Sequence, residues 1–198
     1  AHAALERAGV SPGGAVAALA DAVAARPGLR LRGVMGWESH AVRIADRVEK
    51  EQTVVEAVCL LTASAEACRE AGHAIDIVSC GGTGTFPWCI PQPGVTEVQI
   101  GGGIFCDRTY REEFHMDFPC ALSVLATVTS RPTATRIIVD AGRKSLSCEA
   151  AVPQPLGLPP VRSLRFSAEH ATIELEDASA EPRIGERIAF LVGSSDMT

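Results

Sequence analysis

The chain has 198 residues, of which 46% are hydrophobic and 21% are charged, and its formal net charge is −6. This composition is ordinary for a globular protein, and the length suits one large domain or two small ones. Because the basic residues are scattered through an acidic chain, nucleic acid is excluded as a predicted partner. No apolar run approaches the roughly 20 residues that span a bilayer, so no membrane role is predicted.

The seven cysteines show no Cys-x-x-Cys pair and no regular spacing. An odd number of cysteines without a framework favours reduced thiols, and a small buried hydrophobic role is the simplest for each. The first residues lack the basic region and apolar core of a signal peptide. We therefore predict a cytoplasmic protein.

Helices and strands alternate in the first half of the chain. The pattern predicts helices over residues 15–25 and 45–71 and strands over residues 29–36, 75–78 and 95–100. Ser11 is the predicted N-cap of the first helix, and Gly72 ends the second. Alternating strands and helices favour right-handed crossovers and a parallel sheet.

The pattern changes beyond about Arg111. Strands are predicted at residues 121–130, 135–139, 163–166, 171–176 and 187–192, with a proline-rich loop after the second. This is an antiparallel β unit without a long helix. We place the domain boundary between residues 1–112 and residues 113–198.

Glycine-rich segments follow two of the predicted strands, at residues 79–86 and 101–103. Glycine permits positive φ and removes the Cβ that would hold an anion away from the backbone. A third polar segment, residues 37–40, follows the strand before them, and the C-terminal ends of parallel strands share one edge. We predict a phosphate-binding site at this edge, with a pair of ordinary tight turns as the alternative.

Six segments, taken together and in order, resemble the D-threonine aldolase / D-serine dehydratase family. They are residues 7–10, 33–40, 79–85, 96–107, 139–144 and 167–170. Members of this family are fold-type III pyridoxal-phosphate (PLP) enzymes, commonly homodimers. The resemblance implies a partial alanine-racemase-like (β/α) barrel followed by a C-terminal antiparallel β-domain. It also implies a lyase that acts on small D-3-hydroxy amino acids.

The resemblance implies a set of residues that bind the cofactor: Arg7, Trp37, Gly82, Thr83, Gly101 and Gly102. Arg7 matches an arginine beside the pyridine nitrogen, where a permanent cation limits the ring as an electron sink. The alternative for Arg7 is an exposed arginine at a helix entry. Trp37 stands where tyrosine is usual, so it can pack on a ring but lacks the phenol. His40 is expected either to contact the site or to be structural.

Residues 192–198 resemble the segment of the family that binds a divalent metal such as zinc or manganese. Asp196 matches the second ligand of that segment. Ser194 stands where a histidine belongs, and a serine hydroxyl is a poor ligand for either ion. Metal binding therefore needs other ligands in addition to Asp196.

The chain has only two lysines, Lys50 and Lys144, against sixteen arginines. Neither matches the Schiff-base lysine of the family, which lies on a strand well upstream of Arg7. Three predicted strands are also too few to close a barrel. We therefore expect an N-terminally truncated fragment without its catalytic lysine.

Three functional interpretations remain open. The first is a PLP-dependent aldolase or dehydratase. The second is an inactive fragment or paralogue that binds only a phosphate compound or a partner subunit. The third is an alanine-racemase-like or PLP-carrier protein, whose relatives lack a tail like residues 192–198.

Overall fold

The computed structural model describes residues 8–198, which form two compact units. The first unit contains the described residues up to Gly103 together with Glu113–Met116. The second contains Ile104–Glu112 and Asp117–Thr198. The predicted Arg7 site lies outside the described residues. No helix of the described part of the chain has both the length and the apolarity to cross a membrane.

The first unit is a three-stranded parallel sheet with helices, as the alternating pattern predicts. Its helices are α1 (Gly14–Ala24), α2 (Arg47–Glu70) and α3 (Phe86–Cys89), and its strands are β1 (Gly33–Met35), β2 (Ile77–Gly82) and β3 (Glu97–Gln99). The strands lie in the order β1, β2, β3, and both pairings are parallel. The three carboxyl ends therefore share one edge of the sheet.

Helix α2 contributes more buried residues to the core of this unit than any other element. Asp46 caps it by accepting a hydrogen bond from the Glu49 amide. Its apolar face buries Val54, Val58 and Leu61 in one hydrophobic cluster with residues of β2. Removing this surface from water is the main favourable contribution to folding.

Two local predictions in this unit are wrong. The N-cap of α1 is Gly13 and not Ser11. The Gly13 carbonyl accepts a hydrogen bond from the Val16 amide over 2.9 Å, and the Gly13 amide donates to the Ser64 hydroxyl of α2 over 3.1 Å. Strand β2 runs on through Gly82, so residues 79–82 belong to the strand and not to a turn. Gly81 has a φ of 70°, and the register shifts between Cys80 and Gly82, as in a β-bulge.

The second unit is a six-stranded antiparallel sheet. Its strands are β4 (Ser123–Ser130), β5 (Arg136–Val139), β6 (Gln154–Pro155), β7 (Val161–Phe166), β8 (Ala171–Leu175) and β9 (Arg187–Leu191). They lie in the order β6, β9, β4, β5, β8, β7. The short strand β6 pairs with β9 inside the segment predicted as a proline-rich loop. Ile137, Ile173 and Phe190 are among the residues with no exposed surface in its core.

Arg131, directly after β4, forms hydrogen bonds with three backbone carbonyls in the loops of this unit. Its guanidinium donates to the carbonyls of Ala134 and Ser179 over 2.9 and 2.6 Å, and also to that of Pro182. We expect Arg131→Ala to lower the free energy of unfolding by about 2 kcal/mol, since three acceptors lose a charged donor. Urea denaturation followed by circular dichroism measures the change.

The matched control is Arg162→Ala, which removes one exposed hydrogen bond to the Glu176 carbonyl. We expect that change to cost less than about 0.5 kcal/mol, as is usual for exposed positions. Equal losses in the two variants would show that the Arg131 contacts contribute nothing specific.

Candidate functional site

The two glycine-rich segments meet at the edge of the sheet where β2 and β3 end. The Gly103 amide donates to the Thr83 hydroxyl over 2.9 Å, and Thr83 is 3% exposed. The two residues are twenty positions apart in the sequence. The Thr83 hydroxyl therefore fastens one segment to the other.

A side chain at either of two of these glycines would crowd its neighbours. A Cβ on Gly82 would stand 2.9 Å from Nε1 of Trp37, and one on Gly84 would stand 3.2 Å from Cγ1 of Val42. Gly101 differs, because within residues 8–198 no heavy atom outside Gly101 and its two chain neighbours lies within 4 Å of its Cβ position. The structure thus brings Gly82, Trp37 and Thr83 together and leaves one open glycine on the neighbouring segment.

A buried carboxylate forms hydrogen bonds with two residues of the first glycine-rich segment. Glu38 is 2% exposed, and its Oε2 accepts hydrogen bonds from the Gly81 amide over 3.2 Å and from the Thr85 hydroxyl over 2.8 Å. Glu38 belongs to the polar segment after β1, but the sequence assigned it no role. Its acidic character between Trp37 and His40 was the only signal available.

Lys50 is buried in the first unit without a carboxylate partner among the described residues. Its Nζ donates to the carbonyls of Val42 over 2.9 Å and Phe114 over 2.7 Å, and lies 5.3 Å from the ring centre of Trp88. Burial lowers the pKa of Lys50 to about 8. The amine is therefore engaged in holding two loop segments.

Three further candidate residues are Lys144, Trp37 and His40. Lys144 lies in the second unit and pairs with Glu169 over 2.6 Å, and this hydrogen bond raises the pKa of Lys144. Trp37 is 40% exposed. Nδ1 of the half-buried His40 has no hydrogen-bond partner among the described residues.

The C-terminal segment of the second unit is organised by an aspartate that the sequence analysis did not single out. Oδ2 of Asp107 accepts hydrogen bonds from the Ser195 amide over 2.6 Å and from the Ser195 hydroxyl over 2.8 Å. Ser194 is buried, whereas Asp196 is exposed. A metal-binding role for Asp196 stays a prediction.

Comparison with protein families gives two matches that cover nearly the whole chain. Residues 3–109 match the alanine racemase N-terminal domain, and residues 121–198 match the putative serine dehydratase domain. A D-threonine aldolase from Arthrobacter sp is 30% identical over 195 residues, which are 97% of this chain and 52% of that protein. The chain thus spans about half the length of the curated relatives it matches.

Solved structures agree with these matches. The crystal structure of D-threonine aldolase from Filomicrobium marinum has a TM-score of 0.86 and 32% identity, over 96% of this chain and 52% of that one. D-threo-3-hydroxyaspartate dehydratase from Delftia sp. HT23 has a TM-score of 0.70 and 25% identity, over 93% of this chain and 53% of that one. The fold is therefore the predicted partial alanine-racemase-like barrel with an antiparallel β-domain. The chain belongs to the alanine-racemase-like, fold-type III family that includes the D-threonine aldolases and D-serine dehydratases.

Proposed function

We propose that this protein is a PLP-dependent lyase acting on D-3-hydroxy amino acids, and that the first unit holds the phosphate of the cofactor. The observation that supports this most directly is the hydrogen bond from the Gly103 amide to the Thr83 hydroxyl, which joins the two glycine-rich segments. The similar proteins named above are aldolases and a dehydratase, and both reactions break a bond at Cβ of a hydroxy amino acid.

The residues of this edge fit a phosphate group. Backbone amides in glycine-rich segments, together with a hydroxyl, are a common donor set for a dianion. The Glu38 carboxylate accepts hydrogen bonds from the Gly81 amide and the Thr85 hydroxyl, so part of its charge is already satisfied by donors of the protein. Gly101 leaves open space on the neighbouring segment.

When bound, PLP supplies an electron sink for the carbanion that forms on the substrate. In this proposal Trp37 packs against the cofactor ring, and Gly82, Thr83, Gly101 and Gly102 hold its phosphate. Nδ1 of His40, which is buried and has no hydrogen-bond partner within residues 8–198, supplies a hydrogen bond to the bound ligand. Neither Lys50, whose amine is engaged by two carbonyls, nor the exposed Lys144 is given a covalent role.

The C-terminal residues do not fit the metal pair of the family. Ser194 offers a hydroxyl where an imidazole is expected, and this is a poor ligand for zinc or manganese. Asp196 alone is therefore not sufficient for a catalytic metal site.

Binding of three cofactor analogues tests the phosphate role. PLP and pyridoxamine phosphate are titrated into the 198-residue chain, with quenching of tryptophan fluorescence as the signal. Pyridoxal, which lacks the phosphate, serves as the comparison. We expect the two phosphate compounds to bind at least about tenfold more tightly than pyridoxal, because charge-assisted hydrogen bonds are lost with the phosphate. Equal binding of all three would contradict the proposal.

Two further measurements separate the lyase from a protein that only binds phosphate compounds. Aldolase activity releases glycine and acetaldehyde from D-threonine, and dehydratase activity releases ammonia and a keto acid from D-serine. Release of either set of products by the 198-residue chain would favour the lyase. After borohydride reduction with PLP, a covalent adduct on Lys50 or Lys144 would overturn the non-covalent assignment.

Thr83→Val should weaken pyridoxamine phosphate binding by at least about tenfold, because the hydroxyl that joins the two segments is lost. Thr83→Ser keeps the hydroxyl and should restore most of the affinity. Thr53→Val is the control, since its hydroxyl bonds only the Glu49 carbonyl within α2. Unchanged binding in Thr83→Val, measured by the same fluorescence titration, would remove Thr83 from the site.

A further inference from the structure

A compact group of three buried side chains includes one residue of the first glycine-rich segment and two residues that pack against it. The group consists of Glu38 after β1, Cys80 in β2 and Cys89 at the end of α3. One carboxylate oxygen and the two sulfur atoms all lie within 4.8 Å of one another. The three residues are 2%, 1% and 0% exposed, respectively. Burial of two thiols with a carboxylate is not explained by the phosphate site.

We propose that Glu38, Cys80 and Cys89 bind a thiophilic divalent cation of the zinc class, at a site separate from the C-terminal segment that carries Asp196. Three atoms no more than 4.8 Å apart share a point within about 2.8 Å of each of them. Zinc lies about 2.3 Å from a thiolate sulfur and about 2.1 Å from a carboxylate oxygen. Small inward movements of the three side chains would therefore bring their ligand atoms to these distances from the ion.

The charge balance favours this ion. No lysine, arginine or histidine within residues 8–198 forms an ion pair with Glu38. The hydrogen bonds from Gly81 and Thr85 offset part of the cost of burying this carboxylate, and a cation would offset more of it. Binding of one dication with release of one proton from each thiol leaves the net charge of the buried group unchanged. The metal therefore supplies a positive partner for Glu38 without adding charge to the interior.

The thiols of Cys80 and Cys89 interact with each other. A hydrogen bond with Cys89 lowers the pKa of Cys80. The same hydrogen bond, followed by burial and the neighbouring Glu38 charge, raises the pKa of Cys89. Because two protons leave on binding, the apparent affinity should fall as the pH is lowered.

Ligand type sets the expected selectivity. Thiolates prefer zinc, cadmium and cobalt to magnesium, calcium or manganese, which favour oxygen ligands. The site is therefore expected not to bind magnesium at millimolar concentrations. Bound cobalt should be displaced when zinc is added.

The test is a titration of the reduced, chelator-treated 198-residue chain with cobalt, followed by zinc. We expect one equivalent of cobalt to give a sulfur-to-metal charge-transfer band with the intensity of two thiolates, and zinc to abolish it. Cys80→Ala and Cys89→Ala should each weaken binding at least about 100-fold, since a direct ligand is lost. Cys59→Ser, at an exposed position in α2, and Asp196→Asn should leave the titration unchanged.

Two measurements on the wild-type chain test the proposal even if the variants do not fold. Zinc should raise the midpoint of thermal unfolding, because a ligand that binds only the folded state stabilises it. X-ray absorption at the zinc edge should show two sulfur neighbours. No charge-transfer band, a single sulfur neighbour, or loss of binding in Asp196→Asn would overturn the proposal.

Discussion

Glu38→Ala should lower the free energy of unfolding of the metal-free protein by about 3 kcal/mol. The Gly81 amide and the Thr85 hydroxyl both donate to Oε2 of this residue in a buried environment. Each donor left without an acceptor costs about 1–3 kcal/mol, and the empty volume adds to the loss. Glu38→Gln keeps an acceptor oxygen and should cost about 1 kcal/mol.

Urea denaturation followed by circular dichroism gives the stability change, and the pyridoxamine phosphate titration gives its effect on the site. Glu97→Ala is the control, because that exposed residue also accepts a hydroxyl hydrogen bond, from Ser79 over 2.6 Å. We expect the control to cost less than about 1 kcal/mol. Similar costs for Glu38→Ala and Glu97→Ala would mean that Glu38 does not support the segment.

The regular elements were predictable because each repeats a period along the chain. Helix α2 places an apolar residue at helical spacing over many turns, and the strands of the second unit alternate. Helix α3 has four residues, and β6 has two, so neither is long enough to show a period. Their presence depends on neighbours that are distant in the sequence.

In the candidate site, too, features visible in the local sequence were predicted, and features that depend on distant residues were not. The glycine-rich segments were found because glycine is needed wherever backbone must approach a ligand or adopt positive φ, and this need is visible in the residue type. The role of Glu38 was missed, because its partners lie 43 and 47 positions later in the chain. The partner of Lys50 at Phe114 is 64 positions away. Contacts at such separations leave no periodic signal.

Lys50→Met should change how stability depends on pH. The folded-state pKa of Lys50 is about 8, below its ordinary value of 10.5, because burial disfavours the ammonium. Between these two values the unfolded chain binds more protons than the folded one, so the wild-type free energy of unfolding gains a contribution that rises with pH. Over that window the gain is about 3 kcal/mol, and Lys50→Met lacks it.

A neutral amine has two N–H groups, and the fold offers it two carbonyls, those of Val42 and Phe114, so deprotonation leaves both hydrogen bonds intact. The wild-type and Lys50→Met stabilities, from urea denaturation at intervals from pH 7 to 10.5, should therefore diverge above about pH 8. Titrating cysteines are common to both proteins and cancel in the difference. Lys144→Met is the control, because its exposed amine has a raised pKa and should give no such divergence. A difference that stays constant through this range would show that Lys50 remains an ammonium in the fold.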